Sequence, residues 1–227
     1  MSVQVAEKTF VEELREQRWD DHRFYHRSRV NQSFHLASAC CFLTTYALLV
    51  VNPVIAAVFG WAVAMWPRQI GHFFFEPKGF DQANGVSFDE KESIKVGFNL
   101  QRKAILFGCW LTVPVLLAAS PSFFGLFAPW HDLGGYMHSL GQLWLALAAA
   151  GLLGRTLYLC LTRNVQTGVV WFTKILTDPF HDIKIYHRAP LHVLKGEMFE
   201  PVTHGGPIGQ GGHDDGEEQE PSPSPAP

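Results

Sequence analysis

Cysteine is scarce in this 227-residue chain: there are four, with no CxxC pair and no zinc-type spacing. A disulfide framework or zinc ribbon is therefore not expected. No glycine-rich phosphate loop, Ser-His-Asp order or nucleophile elbow occurs, which leaves out nucleotide-dependent and serine-hydrolase chemistry. Basic excess is missing too. The net charge is −3, and no basic stripe interleaves with aromatics, so no nucleic-acid role is expected. Residues 1–20 are charged and lack an apolar centre; no cleavable signal peptide is read there, and the first span is expected to target the chain.

The most telling absence is of charge itself. Residues 34–51 contain no Asp, Glu, Lys or Arg, and neither do 54–66 and 104–120; a fourth run, 140–161, is interrupted only by Arg155. About twenty apolar residues match the hydrocarbon thickness of a bilayer. The expected fold is an all-α polytopic membrane helix bundle of about four transmembrane helices plus interfacial helices. If the runs are spans, residues 1–33, 67–103 and 162–227 share one side and hold seventeen of the eighteen Lys and Arg residues. Positive charge collects on the cytoplasmic side. Both termini are therefore expected in the cytoplasm, in a bacterial inner membrane or the endoplasmic reticulum. Arg155 is expected to snorkel or to join helices.

The chain divides accordingly. Residues 1–33 form a cytoplasmic N-terminal amphipathic segment, with Phe10, Val11, Leu14 and Trp19 at helical spacing. Residues 34–200 form the membrane bundle, with a cytoplasmic loop at 77–103 in which Ser87 caps a helix starting at Phe88. Thr177-Asp178-Pro179 is expected to stop a helix. The tail 201–227 is rich in Gly, Pro, Glu, Asp and Ser and is expected to be disordered.

Nine of the eleven histidines fall on or near the cytoplasmic side. Neutral imidazole is the commonest metal ligand and suits iron, copper and zinc. In FYHRSRVNQSFH, residues 24–35, His26 and His35 are nine apart and would lie on opposite faces of one unbroken helix. They can share an ion only across a break, expected at 29–33 with Asn31 or Ser33 capping the first span. In WPRQIGHFFFE, residues 66–76, His72 and Glu76 are four apart and share a helix face, while Gly71 permits close approach of a neighbour. Asn52-Pro53 turns the first two spans into a hairpin, so His35 and His72 are expected side by side, with His26 above them.

These two stretches together resemble the paired signatures of the 2-hydroxy fatty acid dioxygenase family, small multi-pass membrane proteins of fatty acid alpha-oxidation. The matching positions are Tyr25, His26, Asn31, His35, Gln69, Gly71, His72 and Glu76, and the likeness covers roughly residues 20–80. The resemblance implies an Fe(II) dioxygenase that uses O2 to shorten a 2-hydroxy fatty acid by one carbon. It implies iron on His26, His35 and His72, with Glu76 as a further ligand or as the acceptor that orients one ring. His187 is then expected as a fourth ligand and His181 next. Arg27, Arg29 and Arg68 would attract the carboxylate, with Asn31 and Gln69 beside them, and the acyl chain would lie between spans. A di-iron hydroxylase would need an HxxHH box, which is missing. The alternative is a non-enzymatic membrane scaffold that binds lipid or a partner.

Overall fold

The computed structural model describes residues 8–81 and 84–201, and among these it is helical with no strand. The expected disordered tail lies, from residue 202 onward, outside the described residues. Helix α1, Phe10–Tyr25, starts at a capping box in which Thr9 accepts from the Glu12 amide and Glu12 accepts from the Thr9 amide. It buries Gln17, His22, Phe24 and Tyr25, leaving Val11 exposed. None of the Phe10, Val11, Leu14 and Trp19 stripe is fully buried within the protein.

Helix α2 runs Arg29–Val51. The break between His26 and His35 thus falls at residues 26–28 rather than at 29–33. Ser28 caps α2 by accepting from the Asn31 amide, so the first long helix begins five residues before the apolar run does, at Arg29 rather than Phe34. Asn52 then accepts from the amides of Val54 and Ile55, and Pro53 takes the first helical position, where its missing N–H costs nothing. Residues 53–75 return alongside α2 as α3, Pro53–Phe59, and α4, Met65–Ile70, each followed by a π-helical turn: Gly60–Ala64 and Gly71–Phe75.

Helix α5, Phe88–Ile94, carries the expected Ser87 cap, completed by Glu90. Helices α6, Leu100–Ala119, and α7, Leu133–Thr162, form the next hairpin. Its far end is closed by Val113 and Leu117 against Leu140 and Leu143. Asp132 caps α7, which therefore starts at Leu133 rather than at 140. Arg155 donates to the carbonyls of Val96 and Gly97, tying α7 to the loop between α5 and α6 instead of joining two helices.

Among the described residues, three helices are long and apolar enough to cross a membrane: α2, α6 and α7. Only 6% of the most apolar window of α7 is buried by the rest of the chain, against the near-complete cover of a soluble core helix. Apolar faces left open on this scale fit lipid contact.

Helix α8, Val165–Tyr186, passes through Pro179 without stopping. The expected stop at Thr177-Asp178-Pro179 is overridden by side chains on one face of the helix. Lys174 pairs with Asp178 one turn on (2.7 Å), and Arg68 holds Asp182 a turn further (3.3 Å). A short helix α9, Ala189–Leu194, follows. The segment 197–201 then crosses the junction of α1 and α2: Arg29 donates its amide to the Met198 carbonyl, and Glu200 donates its own to that of Arg27, both at 2.9 Å.

Candidate metal centre

Three elements converge where α1 ends. His26 caps the C-terminus of α1, His35 sits in the second turn of α2, and His72 opens the π turn that ends residues 53–75. All three rings are buried, and each can offer a nitrogen within 4.8 Å of the other two. Ring centroids are 4.0 Å apart for His26 and His35, 4.8 Å for His35 and His72, and 5.6 Å for His26 and His72. The juxtaposition of His35 and His72 follows from the Asn52-Pro53 hairpin, as expected.

Each ring also has an outer partner. Nδ1 of His72 is hydrogen-bonded to the Glu76 carboxylate, and Nδ1 of His26 lies 3.2 Å from the Tyr186 hydroxyl. Nδ1 of His35 stands 3.6 Å from Oδ2 of Asp182. A ligating histidine characteristically turns its second nitrogen to such a group, which fixes the tautomer and aims the first. Nε2 of His26 and both nitrogens of His35 are buried without a hydrogen-bond partner. Orphaned buried polar atoms are costly, and a cation shared by the three rings would satisfy Nε2 of His26 and one nitrogen of His35. Burial, reinforced by the rings of His35 and His72, holds His26 well below the ordinary histidine range and so neutral, as ligation requires. The residues present therefore fit a transition metal, and three imidazoles suit iron, copper or zinc.

Glu76 acts from outside the triad. Burial alone would raise its carboxyl, but Lys103 at 3.4 Å and Lys95 at 3.9 Å outweigh that and hold it below the ordinary carboxylate range. As a charged acceptor it orients His72. Gly71 makes the packing possible: a β-carbon there would collide with the Asn31 carboxamide oxygen and press on His35.

His187 does not reach the cluster. It is exposed just past the end of α8, with Nδ1 3.0 Å from the Lys184 carbonyl oxygen. The residue before it, Tyr186, is the one that points inward. His181 is also outside the triad among the described residues, beside Arg18 and Asp178. The arginines are largely engaged. Arg27 donates to the Glu200 carbonyl (3.3 Å), Arg29 to Gln32 (2.9 Å), and Arg68 lies between Asp182 and Asp178. Asn31 donates to the Tyr25 carbonyl and so ties the break to α2. Gln69 donates to the Met65 sulfur (3.1 Å), leaving its buried oxygen unpartnered.

Several residues here were not anticipated from sequence. Lys174, Asp178, Asp182 and Tyr186 recur every four residues along α8, and all are buried; that polar stripe was the available signal. His22, four residues before His26, turns Nδ1 to Tyr186 (3.2 Å) and Nε2 to Glu200 (3.3 Å) instead of joining the triad.

A cavity of about 410 Å³ adjoins the cluster and is lined by His26, His72, Arg68 and Gln69 together with apolar residues of α6 and α7. Its size is that of a small-molecule site. Against protein-family models, curated proteins and solved structures, the chain gives no match.

Proposed function

We propose that this protein is a membrane-embedded non-haem Fe(II) dioxygenase that shortens 2-hydroxy fatty acids by one carbon with O2. The observation that carries the reading is the convergence of three buried histidines, two of them hydrogen-bonded to outer partners and His35 beside Asp182, next to a cavity that His26 and His72 line together with many apolar residues. His26, His35 and His72 would hold the iron. Bound there, it would supply the oxygen chemistry that imidazole-ligated ferrous iron carries out. The protein's own part is to keep the rings neutral, fix their tautomers through Glu76 and Tyr186, and align an acyl chain so that its polar end meets the metal.

In this reading residues 53–75 are the fourth span beside α2, α6 and α7. The Lys and Arg distribution argues for both termini on the cytoplasmic side, in a bacterial inner membrane or the endoplasmic reticulum. The test has two arms. Protein purified in detergent should carry iron near one per chain, and with Fe(II), O2 and 2-hydroxypalmitate it should yield pentadecanoic acid. Metal-free protein that stays folded and leaves 2-hydroxypalmitate intact would overturn the reading and favour a lipid- or partner-binding scaffold.

A further inference from the structure

Most charged side chains around the cavity have an opposite partner of their own. On α1, Asp21 pairs with Lys174 (2.5 Å) and Asp20 with Arg23 (2.7 Å). On α8, Asp178 takes Lys174 and Arg18, and Asp182 takes Arg68. Lys91 of α5 reaches Asp81 (3.9 Å), and Glu92 accepts from the Leu100 amide (2.7 Å). That leaves Lys95, just after α5, and Lys103, in the first turn of α6. Both lean on the same oxygen of Glu76, which is already bonded to His72. Two lysine side chains thus share one carboxylate oxygen at the wall where His26 and His72 also line the cavity.

The same face of α6 continues from Lys103 through Leu106 and Phe107 to Trp110, all lining the cavity, with Leu147 and Leu152 of α7 opposite. Seven residues of helix carry that lining about 10 Å from the ammonium into the apolar hairpin. The cavity therefore has a cationic head and an apolar shaft.

We propose that Lys95 and Lys103 are the head-group clamp of this cavity, receiving the carboxylate of a single-chain anionic amphiphile whose tail lies between α6 and α7. The inference deepens the reading above and rests on it in taking this cavity for the substrate. It assigns head-group recognition to two lysines in place of Arg27, Arg29 and Arg68, whose guanidinium groups already face protein acceptors. A carboxylate there would give the two lysines a second acceptor besides the one Glu76 oxygen they share, beside His26 and His72 in the cavity lining. Lysine suits the task as a mobile point charge, with Lys95 steadied over the Tyr25 ring, 3.2 Å from its centroid.

The experiment uses the full chain in detergent, stripped of metal, with radiolabelled palmitate as probe. Saturable binding near one per chain is expected, with uncharged hexadecanol at least about tenfold weaker as a competitor. Lys95→Met and Lys103→Met should each weaken palmitate binding by about tenfold, with Lys103→Arg restoring much of it, while Arg27→Met leaves it unchanged. Equal competition by hexadecanol and palmitate in the unaltered protein would overturn the clamp without relying on any variant. So would full palmitate affinity in the folded Lys95→Met/Lys103→Met double variant. Iron content, measured in parallel, keeps the two ideas apart. Iron-loaded protein with no head-group preference sinks the clamp alone, whereas palmitate-selective protein that takes up no iron sinks the dioxygenase and leaves the clamp standing.

Discussion

The Tyr186 hydroxyl lies 3.2 Å from Nδ1 of His26. The same oxygen is 3.2 Å from Nδ1 of His22, whose Nε2 is 3.3 Å from the Glu200 carboxylate. A hydroxyl can donate to one ring while accepting from the other. One arrangement satisfies every atom: His26 donates from Nδ1 to Tyr186, Tyr186 donates to His22, and His22 donates from Nε2 to Glu200. That leaves Nε2 of His26 as a lone pair facing His35 and His72. Tyr186→Phe keeps the buried ring but removes the link, so metal affinity should fall by about tenfold with helix content unchanged. Titration against a competing chelator, alongside circular dichroism, measures both. Unaltered affinity would show that Tyr186 does not govern the His26 ring.

Gly71 permits contact between residues 53–75 and α2 at the cluster. Gly71→Ala would drive a methyl group into Asn31, which is itself committed to the Tyr25 carbonyl at 2.9 Å. Overpacking of this kind costs about 1–3 kcal/mol. A lower melting temperature and reduced metal content are expected together, because moving Asn31 also moves the break that carries His26. Gly108→Ala is the control: nothing lies within 4 Å of the added carbon, so its melting temperature should not fall, and the helix-favouring methyl should hold or raise it.

Glu200 gives the fold a predictable acid sensitivity. Burial would raise its carboxyl, but hydrogen bonding to His22 and Gln32 and the charge of Arg29 bring it from an ordinary 4.5 down to about 2. A carboxyl depressed in the folded state stabilises it above the unfolded value, and that contribution is lost as pH falls from about 4.5 towards 2. Glu200→Gln removes the charge throughout. The loss of melting temperature between pH 5 and pH 3 should therefore be shallower in the variant than in the unaltered protein, and parallel curves would count against the assignment.

The features legible in the sequence share one property: they depend on residues close along the chain. Asn52-Pro53 sets which helix ends meet, so His35 and His72 could be paired before any coordinates. Ser87 and Glu90 declare the start of α5 within four residues. Long-range terms were not legible. Gln32 and Glu200, 2.6 Å apart, are separated by 168 residues, and nothing local in either stretch marks the partner. Pro179 reads as a helix stop because, beside the local Lys174–Asp178 pair, the ion pairs that hold α8 on either side of it come from Asp21 and Arg68 on other elements. The misplacement of His187 is a matter of phase. The Tyr-His-Arg echo at 25–27 and 186–188 locates the right end of the bundle, but α8 ends at Tyr186, and one residue is enough to turn a ring from the core to solvent.

Metal removal is the most direct probe of the site. Without a cation, Nε2 of His26 and both nitrogens of His35 are buried and unpartnered, so the ion should contribute stability as well as chemistry. A ligand that binds only the folded state, present at a hundred times its dissociation constant, stabilises it by about 2.7 kcal/mol. For a chain of this size that corresponds to roughly 5–10 °C in melting temperature. Chelation of the purified protein should lower the melting temperature by that order, and readdition of Fe(II) should restore it. His35→Ala should abolish the response, since the triad cannot close without its central ring, and the variant's melting temperature should be the same with or without chelator. A chelator effect that survives in His35→Ala would place the stabilising ion elsewhere and remove the basis for the triad as a metal centre.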